Sequence, residues 1–248
     1  MRTANPALNA KTFTRFGTRE VDDTTMSIQG TVHKTGLMLL LLIGAASMTW
    51  STQTAEWGGG GIGGLALGGA IGGFVVALIT VFNKTWAPFT APVYAILEGL
   101  FLGGLSSFME RFYPGIVIQA VALTFGVLFC LLAAYRSGLI KATENFKLGV
   151  VAATGSIFLI YMVTFVLGFF GISIPYIHGS GWLGIGFSAA VVVIAALNLV
   201  LDFDFIENGA EAGAPKFMEW YAAFGLVVTL VWLYIEILRL LAKLSSRR

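Results

Sequence analysis

Charge is what this sequence has least of. Only 11% of its 248 residues are Asp, Glu, Lys or Arg, against 57% hydrophobic, where water-exposed domains carry about 25% charged residues. That shortfall excludes a soluble enzyme and a disordered chain. The net charge of +2 is too small to draw a polyanion, so no nucleic-acid partner is expected. The single cysteine, Cys130, excludes a disulfide framework and zinc-ligand spacing. Two histidines, His33 and His178, stand one in each half of the chain. There is no HExxH, no Walker loop, and no GxGxxG beyond simple glycine repeats. Gly155-Ser156 lacks a histidine at matching depth for a rhomboid-like pair. The chain reads as a non-enzyme that needs no cofactor.

Long apolar runs are what it has in plenty. A hydrocarbon core about 30 Å thick takes roughly 20 apolar residues in a helix. Seven stretches meet or approach that length: Thr35 to Trp50, Gly60 to Phe82, Pro88 to Phe108, Gly115 to Tyr135, Leu148 to Phe170, Trp182 to Leu201 and Met218 to Leu241. Lipid offers no partner to an open backbone, so each is expected to be helical. The fold class is an all-α polytopic membrane protein with seven transmembrane helices over residues 35–242. A polar cytosolic tail, residues 1–34, precedes it, and a short basic tail, residues 243–248, follows. The first 34 residues lack the apolar core and cleavage pattern of a secretory signal.

Basic residues resist translocation and set orientation. Alternate loops and the N-terminal tail hold ten of them, against Arg111 alone in the other loops. The N-terminus is therefore expected in the cytosol. Seven spans then place the C-terminus outside, against the charges of Arg239, Lys243, Arg247 and Arg248. Either earlier helices outvote those charges, or one span is re-entrant. Trp50, Trp57, Trp86, Trp182 and Trp220 fall at span ends, the headgroup level that indole prefers. Gly60, Gly64, Gly68 and Gly72, with Gly69 and Gly73 beside them, let helices approach closely. Tight packing within the chain is the first reading, a dimer face or a mobile, thin-walled helix the second. No internal repeat of the inverted-transporter kind stands out.

Burying an unpaired ion in hydrocarbon costs several kcal/mol, so each acid at depth needs a reason. Glu98 lies mid-span with no base within two turns. Asp202 and Asp204 close the sixth span, about 200° apart around a helix, and cannot share one narrow site unless the helix ends there. Asn198, four residues before Asp202, shares its face, and its amide can donate to the carboxylate. Asp204, Glu207 and Glu211 read as interfacial acids. Glu219 opens the seventh helix, where the macrodipole favours an acid. Glu236 and Arg239, three apart, read as an ion pair that serves packing. This all-oxygen inventory suits a hard cation such as Ca²⁺, or a proton.

Together, Glu98-Gly99-Leu100-Phe101-Leu102-Gly103, Asp202-Phe203-Asp204-Phe205-Ile206 and Ile237-Leu238-Arg239-Leu240-Leu241, followed by Leu244-Ser245-Ser246, resemble the Bax-inhibitor (transmembrane Bax inhibitor motif, YccA-like) family. The likeness runs from about Gly36 to the end. It implies a bundle with the last helix at its centre, and a pH-sensitive calcium leak governed by aspartates on the sixth and seventh spans. It also implies ties to cell-death protection in eukaryotes and to a membrane-bound protease in bacteria. By position, Asp202 matches the first aspartate; the second falls on Thr229, ten residues before Arg239, and threonine does not titrate. The family arginine late in the second span has no match near Val81; Lys84 is the closest base. Asp204 or Glu219 is then the candidate second carboxylate.

The expectation is a Ca²⁺ (with H⁺) leak channel or transporter in a bacterial inner membrane. Asp202 is its gate, sensor and calcium ligand, Glu98 lies along the path, and Asp204, Glu219 and Asn198 are secondary ligands. The alternative is a non-conducting membrane protein that modulates a membrane-bound protease or stress response.

Overall fold

The computed structural model describes residues 25–50, 62–171, 179 and 181–247. Seven helices account for nearly all of them: α1 Ile28–Trp50, α2 Ile62–Phe82, α3 Ala87–Phe112, α4 Ile116–Arg136, α5 Glu144–Phe169, α6 Trp182–Glu211 and α7 Met218–Ser245. All seven are long and apolar enough to cross a membrane. Among the described residues there is no β-strand, only an isolated bridge between Thr25 and Pro215.

Two ends differ most from the sequence reading, while α3, α5 and α7 each extend four residues past an expected end. α1 begins at Ile28, seven residues ahead of the expected span, so Lys34 is already helical. α6 continues to Glu211, and Asp202 and Asp204 therefore lie inside a helix rather than at its end. The reason is the same at both places: hydropathy marks where a helix meets lipid, while the backbone ladder continues into water unless a breaker stops it. After α6 that breaker is Gly213, at φ +64°, where glycine takes the left-handed turn without steric cost. Trp50, Trp86, Trp182 and Trp220 do mark helix ends. Trp57, Gly60, His178 and the first 24 residues of the tail lie outside the described residues.

The chain divides into two units. The first comprises the chain up to Arg111 together with Asp204–Val228. Here α3 is clasped by α1 and α2 through glycines. A Cβ on Gly99 or Gly103 would collide with the backbone carbonyls of Leu42 and Ala46 on α1, and Thr49 Oγ1 donates to Leu100 O at 3.1 Å. From α2, Gly69 meets Leu97 O, and Gly72 meets the Leu97 side chain. These contacts confirm tight packing for Gly69, Gly72 and Gly73, whereas Gly64 and Gly68 face open space. At one end of this unit Met26 N donates to Ala214 O at 2.7 Å, and Lys84 lies 5.3 Å from the Tyr221 ring. The start of α1, the α2–α3 turn and the α6–α7 turn thus share that end.

The second unit comprises Phe112–Phe203 and Thr229–Arg248. There the end of α7 lies beside the start of α6: Arg247 stacks 4.2 Å from the Trp182 ring. Of the seven helices, α7 is the most buried, with 61% of its apolar stretch inside the protein against 11–44% for the others.

Candidate functional site

Within the second unit, α6 and α7 run antiparallel, and two polar contacts define their register. The Thr229 hydroxyl hydrogen-bonds the Asp202 carboxyl. Fourteen residues away on each helix, Lys243 Nζ donates to Ser188 Oγ at 2.8 Å and to Gly184 O at 3.0 Å. Thr229, the position where the resemblance led to a second aspartate, is therefore the direct neighbour of Asp202. The other Asp202 oxygen, Oδ2, is buried with no hydrogen-bond partner. An unmet buried acceptor is costly and uncommon. Asp202 thus meets one hydroxyl and keeps Oδ2 open.

Asn198 does not serve Asp202. Its amide donates to Thr154 Oγ1 and to Ile194 O, both at 2.8 Å, which uses both of its protons. Side chains on a helix lean toward its N-terminus, so Asn198 reaches back to Ile194 and across to α5 rather than forward to Asp202.

Two turns along α7 from Thr229 stands a three-member cluster. Glu236 is 1% exposed. Its Oε1 accepts from Tyr161 OH at 3.0 Å and from Arg239 Nη1 at 2.9 Å, and Oε2 lies 3.1 Å from the same nitrogen. Arg239 also donates to Tyr161 OH at 2.7 Å, with its guanidinium 5.2 Å from that ring. The ring in turn meets Phe187 edge-on at 6.2 Å. The expected Glu236–Arg239 pair is present, and α5 supplies a third member that three-residue spacing did not reveal.

The remaining candidates belong to the first unit. Glu98 is half-buried on α3, where a Cβ on Gly73 would come within 2.9 Å of its Oε2; the glycine leaves room for the carboxyl. Asp204 is half-buried, and its backbone carbonyl accepts from Asn208 Nδ2 at 2.6 Å. Glu219 is wholly buried and saturated. Its Oε1 accepts from Ser27 N at 2.8 Å and Ser27 Oγ at 2.9 Å and meets Lys216 at 3.2 Å, and its Oε2 pairs with Lys34. This corrects one expectation. Glu219 is held by two ammonium groups and a serine rather than by the helix dipole alone. The helix continuing past Asp204 keeps Asp202 and Asp204 from sharing one narrow site.

Among the described residues, no group of three or more His, Cys, Asp or Glu is placed to hold a metal ion. The donors around Asp202 are hard oxygens, of the type that suits Ca²⁺ or a proton, but few in number. Sequence reasoning missed Tyr161, Ser188 and Lys243. A signal for part of this was present: Thr229, Glu236 and Lys243 recur every seven residues, a single stripe on α7. No curated protein matches the chain. A family model described as Bax inhibitor 1 like matches residues 5–246.

Proposed function

The chain belongs to the Bax inhibitor 1 like family, and from that premise we propose that it is a pH-sensitive cation leak channel or transporter, conducting Ca²⁺ or H⁺, without enzymatic activity. The observation that carries this reading is the open, buried Oδ2 of Asp202, held between α6 and α7 by Thr229. Ionised, this carboxyl attracts a cation into a low-dielectric seam. Protonated, it becomes a donor, loses that attraction, and changes how α6 meets α7, a local charge event acting on a two-state packing. With no aspartate at residue 229, the pH response rests on a single carboxyl at this point.

The proposed setting is a bacterial inner membrane with the N-terminus in the cytosol, as the ten-to-one loop bias in basic residues suggests. Three of the opposing C-terminal charges are engaged internally: Arg239 with Glu236, Lys243 with Gly184 and Ser188, and Arg247 with Trp182. Seven full-length crossings are therefore the simpler reading than a re-entrant span.

The test uses purified protein in liposomes loaded with a calcium dye, with influx followed across pH. Asp202→Asn, the uncharged isostere, should hold influx at the wild-type low-pH level throughout. A wild-type pH profile in that variant would remove Asp202 as sensor. The second reading, a non-conducting partner of a membrane-bound protease, draws on the loss of a titratable group at Thr229. Absence of flux at every pH, with co-purification of one protease, would decide for it.

A further inference from the structure

We infer that Glu236 is the second carboxylate station of the cation route, in line with Asp202 along the α6–α7 seam; this rests on the cation-leak reading above. The two end contacts, Asp202–Thr229 and Ser188–Lys243, share one antiparallel register. The same register sets Ala195, wholly buried, opposite Glu236. Asp202 and Ser188 are fourteen residues apart on α6, while Thr229, Glu236 and Lys243 are seven apart on α7. Each set therefore lies on one face of its helix, with Asp202 and Ser188 about 21 Å apart along α6 and successive members of the α7 set about 10 Å apart.

A divalent cation entering this seam remains net positive beside one carboxylate, and an uncompensated charge is not tolerated at low dielectric. A second acid is needed along the way. Among the described residues of this unit the acids are Glu144, Asp202 and Glu236. The Glu144 side chain is 60% exposed and pairs with Lys147 at the start of α5. Glu236 is thus the one other buried acid on the seam. Two stations about 10 Å apart cannot chelate one ion together. They act in sequence, the weak multi-site arrangement that lets an ion enter and also leave.

In the observed state Arg239 occupies the place of the cation on Glu236, with Tyr161 OH as the other donor. The Arg239 side chain is 39% exposed, so it can withdraw while Glu236 stays buried. Passage then consists of an exchange: the guanidinium leaves, the permeant cation takes its place, and Arg239 returns.

The experiment is Ca²⁺ influx into dye-loaded liposomes for wild type, Asp202→Asn, Glu236→Gln and Tyr161→Phe, each verified as monodisperse. Glu236→Gln should lower influx about tenfold across the pH range, by removing a charged station. Tyr161→Phe, which removes one donor and no charge, should raise influx roughly twofold to threefold as Arg239 alone holds the carboxylate. If Glu236→Gln folds and conducts like wild type while Asp202→Asn loses its pH response, Glu236 is packing only and the Asp202 reading stands. If Glu236→Gln does not fold, Tyr161→Phe decides: raised influx supports the station, unchanged or lowered influx overturns it. No influx in wild type at any pH would instead overturn the leak itself, and the station with it.

Discussion

At the residue scale, the two most buried acids among the described residues, Glu219 and Glu236, are managed differently from how their neighbours in sequence suggest. Glu219 sits where a helix dipole alone would favour it, yet it is buried to the last atom and surrounded by Ser27, Lys34 and Lys216. Ser27 and Lys34 lie nearly two hundred residues away in the chain, so no local spacing pointed to them. Removing one partner of a buried pair leaves a charge uncompensated, which costs about 3–5 kcal/mol when no second partner remains. Lys34→Met should therefore lower stability by about 2–3 kcal/mol, since Lys216 still faces the carboxylate. Lys216→Met, at a half-exposed lysine, should cost less than about 1 kcal/mol. Reversible unfolding of the purified protein in mixed micelles gives both values. Equal effects would show that Lys34 is not the main counter-ion. Glu236 and Arg239 were legible as a pair because three residues make one helical turn. Tyr161 was not, because its approach depends on how α5 meets α7.

At the element scale, the contrast is between glycine spacing and glycine use. The four-residue series along α2 looks like one contact face, but each step of four advances about 40° around the helix. Such a series wraps around α2 and cannot keep facing one neighbour. Gly64 and Gly68 accordingly meet nothing, while Gly69, Gly72 and Gly73 meet α3. Among the described glycines the closest approaches to backbone, at Gly99 and Gly103 on α3, are against carbonyls of α1 that cannot rotate away. Gly103→Ala should separate α1 from α3 and cost at least about 2 kcal/mol, through overpacking. Gly68→Ala, which gains helix propensity in open space, should be neutral or stabilising by up to about 1 kcal/mol. Parallel thermal melts in one detergent compare them, and similar loss in both would contradict the observed packing.

At the scale of the whole molecule, seven helices among the described residues are each long and apolar enough to cross a membrane. The start of α1 is joined to the α6–α7 turn through Met26 and Ala214, while the end of α7 is joined to the start of α6 through Lys243 and Arg247. α6 is one continuous helix of 30 residues, about 45 Å long. In a Cys130→Ala background, Lys141→Cys in the α4–α5 connection and Ser246→Cys at the C-terminus should show opposite reactivity. A membrane-impermeant maleimide applied to intact cells should label Ser246→Cys and spare Lys141→Cys. Labelling of both from one side would rule out seven crossings.

The sequence by itself determined the number of spans, their helical nature and the short inventory of buried acids. Span length against bilayer thickness and the scarcity of charge are local properties, readable in a window of about 20 residues. What only the tertiary structure decided is which partner each acid meets: Thr229 for Asp202, Tyr161 with Arg239 for Glu236, and two lysines with Ser27 for Glu219. Those pairings follow from helix register and from close approaches at a few glycines. Register depends on side chains far apart in the chain fitting together, which local spacing does not encode.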